Sequence, residues 1–494
     1  MKLKVLIPSE EYKSYAGARI RYGRLTPELQ KLGAHLSLED IAAFDPRKDG
    51  FDALLISKCH DARSLVAAAA ARQQGRLVGV DLFDDYFSQT SDSRLTRFRT
   101  WLTQLLPLCD FALCSTSSMA AVVEQYRAGL PVHVANDPGI HASTTQLAEL
   151  LRSKTRKARD SQTLRLAWFG VGDNPYFRVG LSNLAAFSWM LRPIAAAGFE
   201  ARLSILTNPR SLTAEGLALL AALPIAADIE EWTEEREQTL LADSFGCFLP
   251  VNAQAFSAAK SLNRAVTALS AGCQVISAGY PLYDQLGAFV YRDTATLLDD
   301  LAKNSLRHSA ARIEEYEQLM DQLASPQREA AGIAQFLGKL EPSPATDLPL
   351  VLVHGQSTNG AAHKAVQALK GLSVARAFCP APLGFDVLFR GHPDRLTMLV
   401  SDAAASRLKR HVREIGATSM TIADRKYWAL QEPNDSEGAS RPDAWHGAPL
   451  SFQIGAYGPV MARMAERLEQ SFGPCRILIS ESSQLPFSPN LGMA

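Results

Sequence analysis

The chain has 494 residues, 47% of them apolar and 21% charged, and its 51 Lys and Arg balance 51 Asp and Glu to a formal net charge of zero. That is the make-up of a soluble globular protein long enough for about three domains, and zero net charge speaks against a strongly cationic nucleic-acid binder. No apolar run approaches the ~20 residues that span a bilayer, and the seven cysteines, scattered and without C-x-x-C spacing, predict free thiols in a reducing cytosol rather than a disulfide framework or a zinc site.

The opening ten residues hold basic residues and a short apolar run, but charge returns at Glu10 and Glu11. They read as a first buried strand at 3–7 and not as a signal peptide. Further strands are predicted at 53–57, 77–81, 111–114 and 132–135, with helices at 19–32, 62–74, 92–106 and 117–128. Such alternation implies a parallel sheet wrapped by helices, here a Rossmann-like domain over residues 1–150. In an open parallel sheet, ligands collect at the carboxyl ends of the strands. Three strand exits therefore stand out. Gly17-Ala18-Arg19-Ile20-Arg21-Tyr22 follows the first strand, and Arg19 or Arg21 there suits a phosphate or an acidic acceptor; a solvated helix start fits the same residues. Asp81, Asp84 and Asp85 follow the strand at 77–80 and suit a general base, with Asp84 the first choice. Asp81 ending the strand and Asp84 capping a turn is the plainer alternative. Lys58, His60 and Asp61 end another strand expected on the same rim, and His60 is a second candidate base.

The basic stretch 152–163 lacks an apolar period and reads as a linker. A second sheet is predicted from strands at 164–169, 201–206, 225–229, 245–249, 274–277 and 288–291, and a second domain over 164–305. Its helices are expected at 181–197, 211–223, 234–242, 262–271 and 294–303. Gly170-Val171-Gly172-Asp173-Asn174 follows the first of these strands. Its glycines allow close backbone approach to a ligand, and Gly170, Gly172 and Asn174 are candidate donor contacts. The run lacks the third glycine of a dinucleotide fingerprint, and an ordinary strand–loop turn fits it too. Lys260-Ser261-Leu262-Asn263-Arg264 opens a helix. Helix starts present unpaired N–H groups and the positive end of the dipole, and Lys260 and Arg264 share one face. Two cations and the Asn263 amide at such a place suit a diphosphate, although a solvated basic helix end carries the same residues.

A long charged helical run follows at 308–338, within a return segment at 306–340. Residues 340–349 are a proline-rich boundary. Beyond it, 350–494 reads as a further α/β domain with strands at 350–353, 397–401, 419–422, 451–454 and 476–480. Helices at 361–370, 403–414 and 459–471 separate some of them. The segment from His354 to Lys364 has P-loop-like glycine spacing, but Ala361 and Ala362 stand where lysine and Ser/Thr belong, so ATP hydrolysis is not expected.

The order of these features resembles GT-B fold glycosyltransferases of the family 4-like group over roughly residues 1–340. The resemblance is carried by Lys260-Ser261-Leu262-Asn263-Arg264, Ala271-Gly272-Cys273 with Val275-Ile276-Ser277, Pro281-Leu282-Tyr283, Glu231-Trp232, Phe248-Leu249-Pro250 and the opening Leu166-Ala167-Trp168-Phe169-Gly170. It implies two Rossmann-like domains facing across a cleft, with the last helix of the run crossing back to the first. A nucleotide-sugar would be held by Lys260, Ser261, Asn263, Arg264, Tyr283 and the 170–174 loop, and a glycan, lipid-linked glycan or protein acceptor would lie against the N-terminal domain. No metal and no cofactor beyond the nucleotide-sugar is implied, and a cytoplasmic enzyme with peripheral membrane contact at most is expected. Many retaining members carry two glutamates where this chain has Ala259 and Thr267. A non-catalytic sugar or nucleotide binder and a two-Rossmann oxidoreductase or epimerase are the competing readings.

Overall fold

The computed structural model describes residues 1–44, 50–60, 62–140 and 143–344, together with five short strands beyond them. Two six-stranded sheets dominate. The first contains β1 (Lys2–Ile7), β2 (His35–Asp40), β3 (Ala53–Ser57), β4 (Leu77–Leu82), β5 (Phe111–Cys114) and β6 (Val132–Val134), in the order β2-β1-β3-β4-β5-β6 and parallel throughout. The second contains β7 (Thr163–Phe169), β8 (Glu200–Thr207), β9 (Ala226–Glu231), β10 (Gly246–Phe248), β11 (Gln274–Ile276) and β12 (Val290–Tyr291), in the order β12-β11-β10-β7-β8-β9, again parallel. Helices cover both sheets, so the central strands β3 and β4 are buried at every residue and are apolar except at Ser57 and Asp81 near their carboxyl ends. Two facing Rossmann-like sheets are the GT-B plan.

β2 escapes prediction because it lies at the sheet edge. Its sequence, His35-Leu-Ser-Leu-Glu-Asp, buries only Leu36. Of the 152–163 stretch, expected as a linker, residues 152–161 are instead the second half of an 18-residue helix, Thr144–Ser161, and Thr163 already opens β7. Ser143 caps its start by accepting from the Gln146 N–H, and Gln162 ends it in the left-handed region at φ 52°. Its buried stripe runs Leu147, Ala148, Leu151, Lys154 and Ala158. Lys154 disguises the period: its ammonium reaches the carbonyls of Leu241 and Ala271 at 2.6 and 2.7 Å, in the second domain's core.

The run 308–338 forms two helices, Ile313–Ala324 and Pro326–Leu337. Pro326 at the first turn forces the break, and Ser325 caps the second helix through the Arg328 N–H. This second helix crosses back to the first sheet. Ala330, Ile333 and Leu337 share an apolar cluster with Val5, Tyr22 and Leu29. Phe336 stacks on His133, and Glu329 accepts from the backbone and side chain of Asn136, both at 3.0 Å.

Beyond residue 344 the described strands are Leu352–Gly355, Phe385–Arg390 and Val374–Phe378, antiparallel in that spatial order, and Thr397–Leu399 paired in parallel with Arg476–Leu478. The strands expected at 419–422 and 451–454, the three helices expected after 350 and most of the P-loop-like segment lie outside the described residues.

Candidate active site

The two sheets meet with the carboxyl ends of their strands facing one cleft of about 360 Å³. The segments leaving β1, β4, β6, β7, β8, β9 and β10 all contribute lining residues. An aromatic cluster joins the domains on one side: Phe256 stacks on Phe177 at 4.3 Å between ring centroids, and both lie near Tyr86, at 5.3 and 5.9 Å. Thr116 adds an interdomain bond to the Ala259 carbonyl at 3.2 Å.

The helix Asn263–Ser270 starts at this cleft with no side-chain cap on its first turn. Arg264 is its most available cation. Among the described residues its guanidinium has one hydrogen-bond partner, the Phe169 carbonyl at 3.4 Å, and no acidic group. It lies against Gly170, whose φ is +143°; a Cβ there would come within 3.1 Å of Arg264 Nη1. The positive φ favours glycine, and a side chain there would have to displace the guanidinium by a few tenths of an ångström. Lys260 lines the same wall, 4.2 Å from the centroid of the Phe256 ring, and pairs with Asp84 of the first domain. Burial, and then the Arg264 charge, push its pKa well below the usual lysine value. Ser261 donates to Asp137 Oδ2 at 2.6 Å. Asn263 and Tyr283 also line the cleft, and the buried Tyr283 hydroxyl has no hydrogen-bond partner among the described residues.

Gly17, Arg19, Arg21, Gly170 and Asn174 line it as well. Their roles differ. Arg19 spans the domains, pairing with Glu234 and lying 5.4 Å from the centroid of the Trp232 ring. Arg21 is fully committed: it grips both Asp81 oxygens at 2.6 and 2.7 Å and reaches the Ala135 carbonyl at 3.0 Å and Asp137 at 3.1 Å. Asn174 Oδ1 accepts from the N–H groups of Tyr176 and Phe177 and so shapes its own turn. Gly172 does not line the cleft. Its N–H donates to Asn208, and a Cβ there would strike the hydroxyls of Thr207 and Ser211 at 2.4 Å, so it is a packing position.

The expected bases are placed differently from the sequence reading. Asp84 is 4% exposed, and its two oxygens are bracketed by Lys58 and Lys260. Asp85 closes a turn, with Oδ1 accepting from the N–H groups of Phe87 and Ser88 at 2.9 Å. His60 packs edge-on among rings, 4.6 Å from Trp101 and 5.1 Å from Phe98. None of the three is among the residues lining the cleft. The lining carboxylates among the described residues are Asp137, Glu234 and Glu237. Glu237 accepts from the Trp232 indole, and burial raises its pKa against the opposing pull of that bond and of Arg19. Asp137 was legible by the same rule that selected Asp84, since it stands three residues past β6 at a strand exit. Arg24 and Arg210, which also line the cleft, belong to no motif and were missed.

No protein-family model and no curated protein sequence matches the chain. Similar solved structures include Anabaena HepE in complex with UDP and glucose, at 12% identity over 69% of this chain and 100% of that one, with a TM-score of 0.49. Another is the alpha,alpha-trehalose 6-phosphate synthase of Burkholderia multivorans, at 14% identity over 64% of this chain and 74% of that one, with a TM-score of 0.41.

Proposed function

We propose that the protein is a nucleotide-sugar-dependent glycosyltransferase, cytoplasmic and acting in the synthesis of a surface glycan or a glycosylated protein. The observation that carries this reading is Arg264, a cleft guanidinium without an acidic partner among the described residues, at a helix start with no side-chain cap and against Gly170. A donor diphosphate lies against Arg264, Lys260 and the first turn of that helix. The acceptor lies toward Gly17 and the first domain. The largest demand of glycosyl transfer is to stabilise charge on the departing diphosphate, and fixed cations and helix N–H groups answer it without a metal or other cofactor.

The test is calorimetry with UDP, GDP, CMP and dTDP. One of them binds the wild-type protein, and Arg264→Ala weakens it tenfold or more, about the 1.5–3 kcal/mol of a charge-assisted hydrogen bond. Equal affinity in wild type and variant would remove the cradle. A second reading, a binder without turnover, is favoured by one observation: Thr267 lines the cleft and Ala259 is buried where retaining enzymes of the resembled group carry glutamates. Release of nucleoside diphosphate from a nucleotide-sugar separates the two. A thermal shift with NAD(P) would instead favour the oxidoreductase reading.

A further inference from the structure

We propose that Cys273 and Lys154 are a peroxide-responsive cross-linking site, in which the oxidised thiol is captured by the lysine amine as a sulfenamide. The pair lies in the core of the second domain, apart from the donor cradle. Lys154 projects from the helix Thr144–Ser161, and its Nζ stands 3.4 Å from Cys273 Sγ. Both residues are buried, Cys273 completely. The nitrogen is fixed by the carbonyls of Leu241 and Ala271 at 2.6 and 2.7 Å, at the ends of the helices Glu234–Asp243 and Asn263–Ser270. Satisfying the last carbonyls of two helices is the plain role of such a lysine, and it does not call for a thiol at contact distance. Leu241 and Ala271 also line the cleft, and Cys273 Sγ itself donates to the Leu241 carbonyl at 3.3 Å. The thiol is thus directly behind the cleft wall, within reach of an oxidant as small as hydrogen peroxide.

A third group completes the cluster. A hydrogen bond from Cys247, and then the charge and hydrogen bond of Lys154, pull the Cys273 thiol below its ordinary pKa in spite of burial. Burial pushes the thiols of Cys109 and Cys114 the other way. The thiolate is the form that attacks peroxide, so Cys273 is the more reactive. Cys247 is the competing partner for the oxidised sulfur. However, β10 and β11 pair Gly246 with Gln274 and Cys247 with Val275, which leaves Cys273 and Cys247 diagonal. Diagonal neighbours on paired strands lie about 7–8 Å apart, at the outer limit of what a disulfide spans without backbone movement. Lys154 is already in contact. In the first step, the Cys273 sulfur attacks one oxygen of hydrogen peroxide and the O–O bond breaks. The sulfur is oxidised to a sulfenic acid and the other oxygen leaves as water. In the second, the Lys154 nitrogen lone pair attacks the sulfur, the S–O bond breaks, and the hydroxyl departs with an amine proton as a second water. One thiol, one amine and one peroxide thus give one S–N bond and two waters.

The test treats the full chain with hydrogen peroxide and reads peptide maps by mass spectrometry. In wild type, a peptide containing Lys154 should be joined to one containing Cys273, with the loss of two hydrogen atoms from their summed mass. Dithiothreitol should undo the link, because a thiol attacks the sulfur and returns the amine. The link should be lost in Cys273→Ser and in Lys154→Arg, and should persist in Cys247→Ala, which removes the competing thiol. If Lys154→Arg fails to fold, the maps of wild type and Cys247→Ala decide the matter by themselves. A disulfide between Cys247 and Cys273, sulfinic acid at Cys273 beside an unmodified Lys154, or an unmodified Cys273 overturns the assignment.

Discussion

At the scale of single residues, the most constrained group near the cleft is the Lys58–Asp84–Lys260 triad. Lys58 holds a left-handed backbone, φ 58°, uncommon for a residue with a side chain. Its ammonium sits 4.3 Å from the centroid of the Phe83 ring and pairs with Asp84. Burial, and then the charge of Lys260, push its pKa well below the usual value, so the carboxylate between the two ammonium groups is what keeps this arrangement tenable. Asp84→Asn should therefore destabilise the protein by about 3–5 kcal/mol, the cost of stranding a buried partner, read as a lower urea midpoint. A loss below 1 kcal/mol would mean the lysines find other partners. The sequence rule that selected Asp84 located the strand exit correctly and could not tell which carboxylate there faces solvent. That depends on Lys260, 176 positions away, and long-range ion pairs leave no local pattern.

A second residue-scale consequence concerns pH. His308 is buried, with its pKa pushed down to about 4, chiefly by desolvation and against a bond to the Leu269 carbonyl at 2.8 Å. Its unfolded value is near 6.5. The unfolded chain thus binds more protons between these values, so this contribution is full above about pH 6.5 and is lost as pH falls toward 4. It amounts to roughly 3 kcal/mol, at 1.36 kcal/mol per unit. In His308→Gln the stability measured by urea melts should vary less over that window than in wild type. An identical slope would assign acid sensitivity to other groups.

At the scale of elements, buried apolar strands were legible and mixed ones were not. β3 and β4 are apolar on both faces because helices cover both, and their sequences say so. β2 has only two apolar residues and buries one of them at an edge, and the helix Thr144–Ser161 carries a lysine in its buried stripe, so the apolar signal of each is weak. The returning helix Pro326–Leu337 was read as the end of one long charged helical run together with Ile313–Ala324. Pro326 marks the break. This helix closes the first domain's core, so Ile333→Ala, at a position 3% exposed, should cost about 2–5 kcal/mol as other buried large-to-small changes do. A melting temperature equal to wild type would show the helix to be a loosely held appendage.

At the scale of the whole molecule, the three apolar clusters seen among the described residues are built from residues up to Leu340. The aromatic stack of Tyr86, Phe177 and Phe256 fuses the two domains, and the returning helix fastens the end of the second to the start of the first. Beyond that helix the chain stays bound to the first domain: the Ser343 N–H donates to Asp110 at 3.0 Å, and Arg72 donates to the Pro344 carbonyl at 3.1 Å. These two bonds hold residues 343 and 344 against the first domain, so a fragment cut at 340 would lose them. A fragment of residues 1–344 should therefore fold alone, melt in a single transition because its domains share a packed interface, and bind nucleoside diphosphate as the full chain does. Limited proteolysis of the full chain should leave a resistant fragment ending at or after 344. If the fragment aggregates or melts in two separate steps, the segment 345–494 completes the core. If it folds but loses the nucleotide, that segment contributes to the cleft.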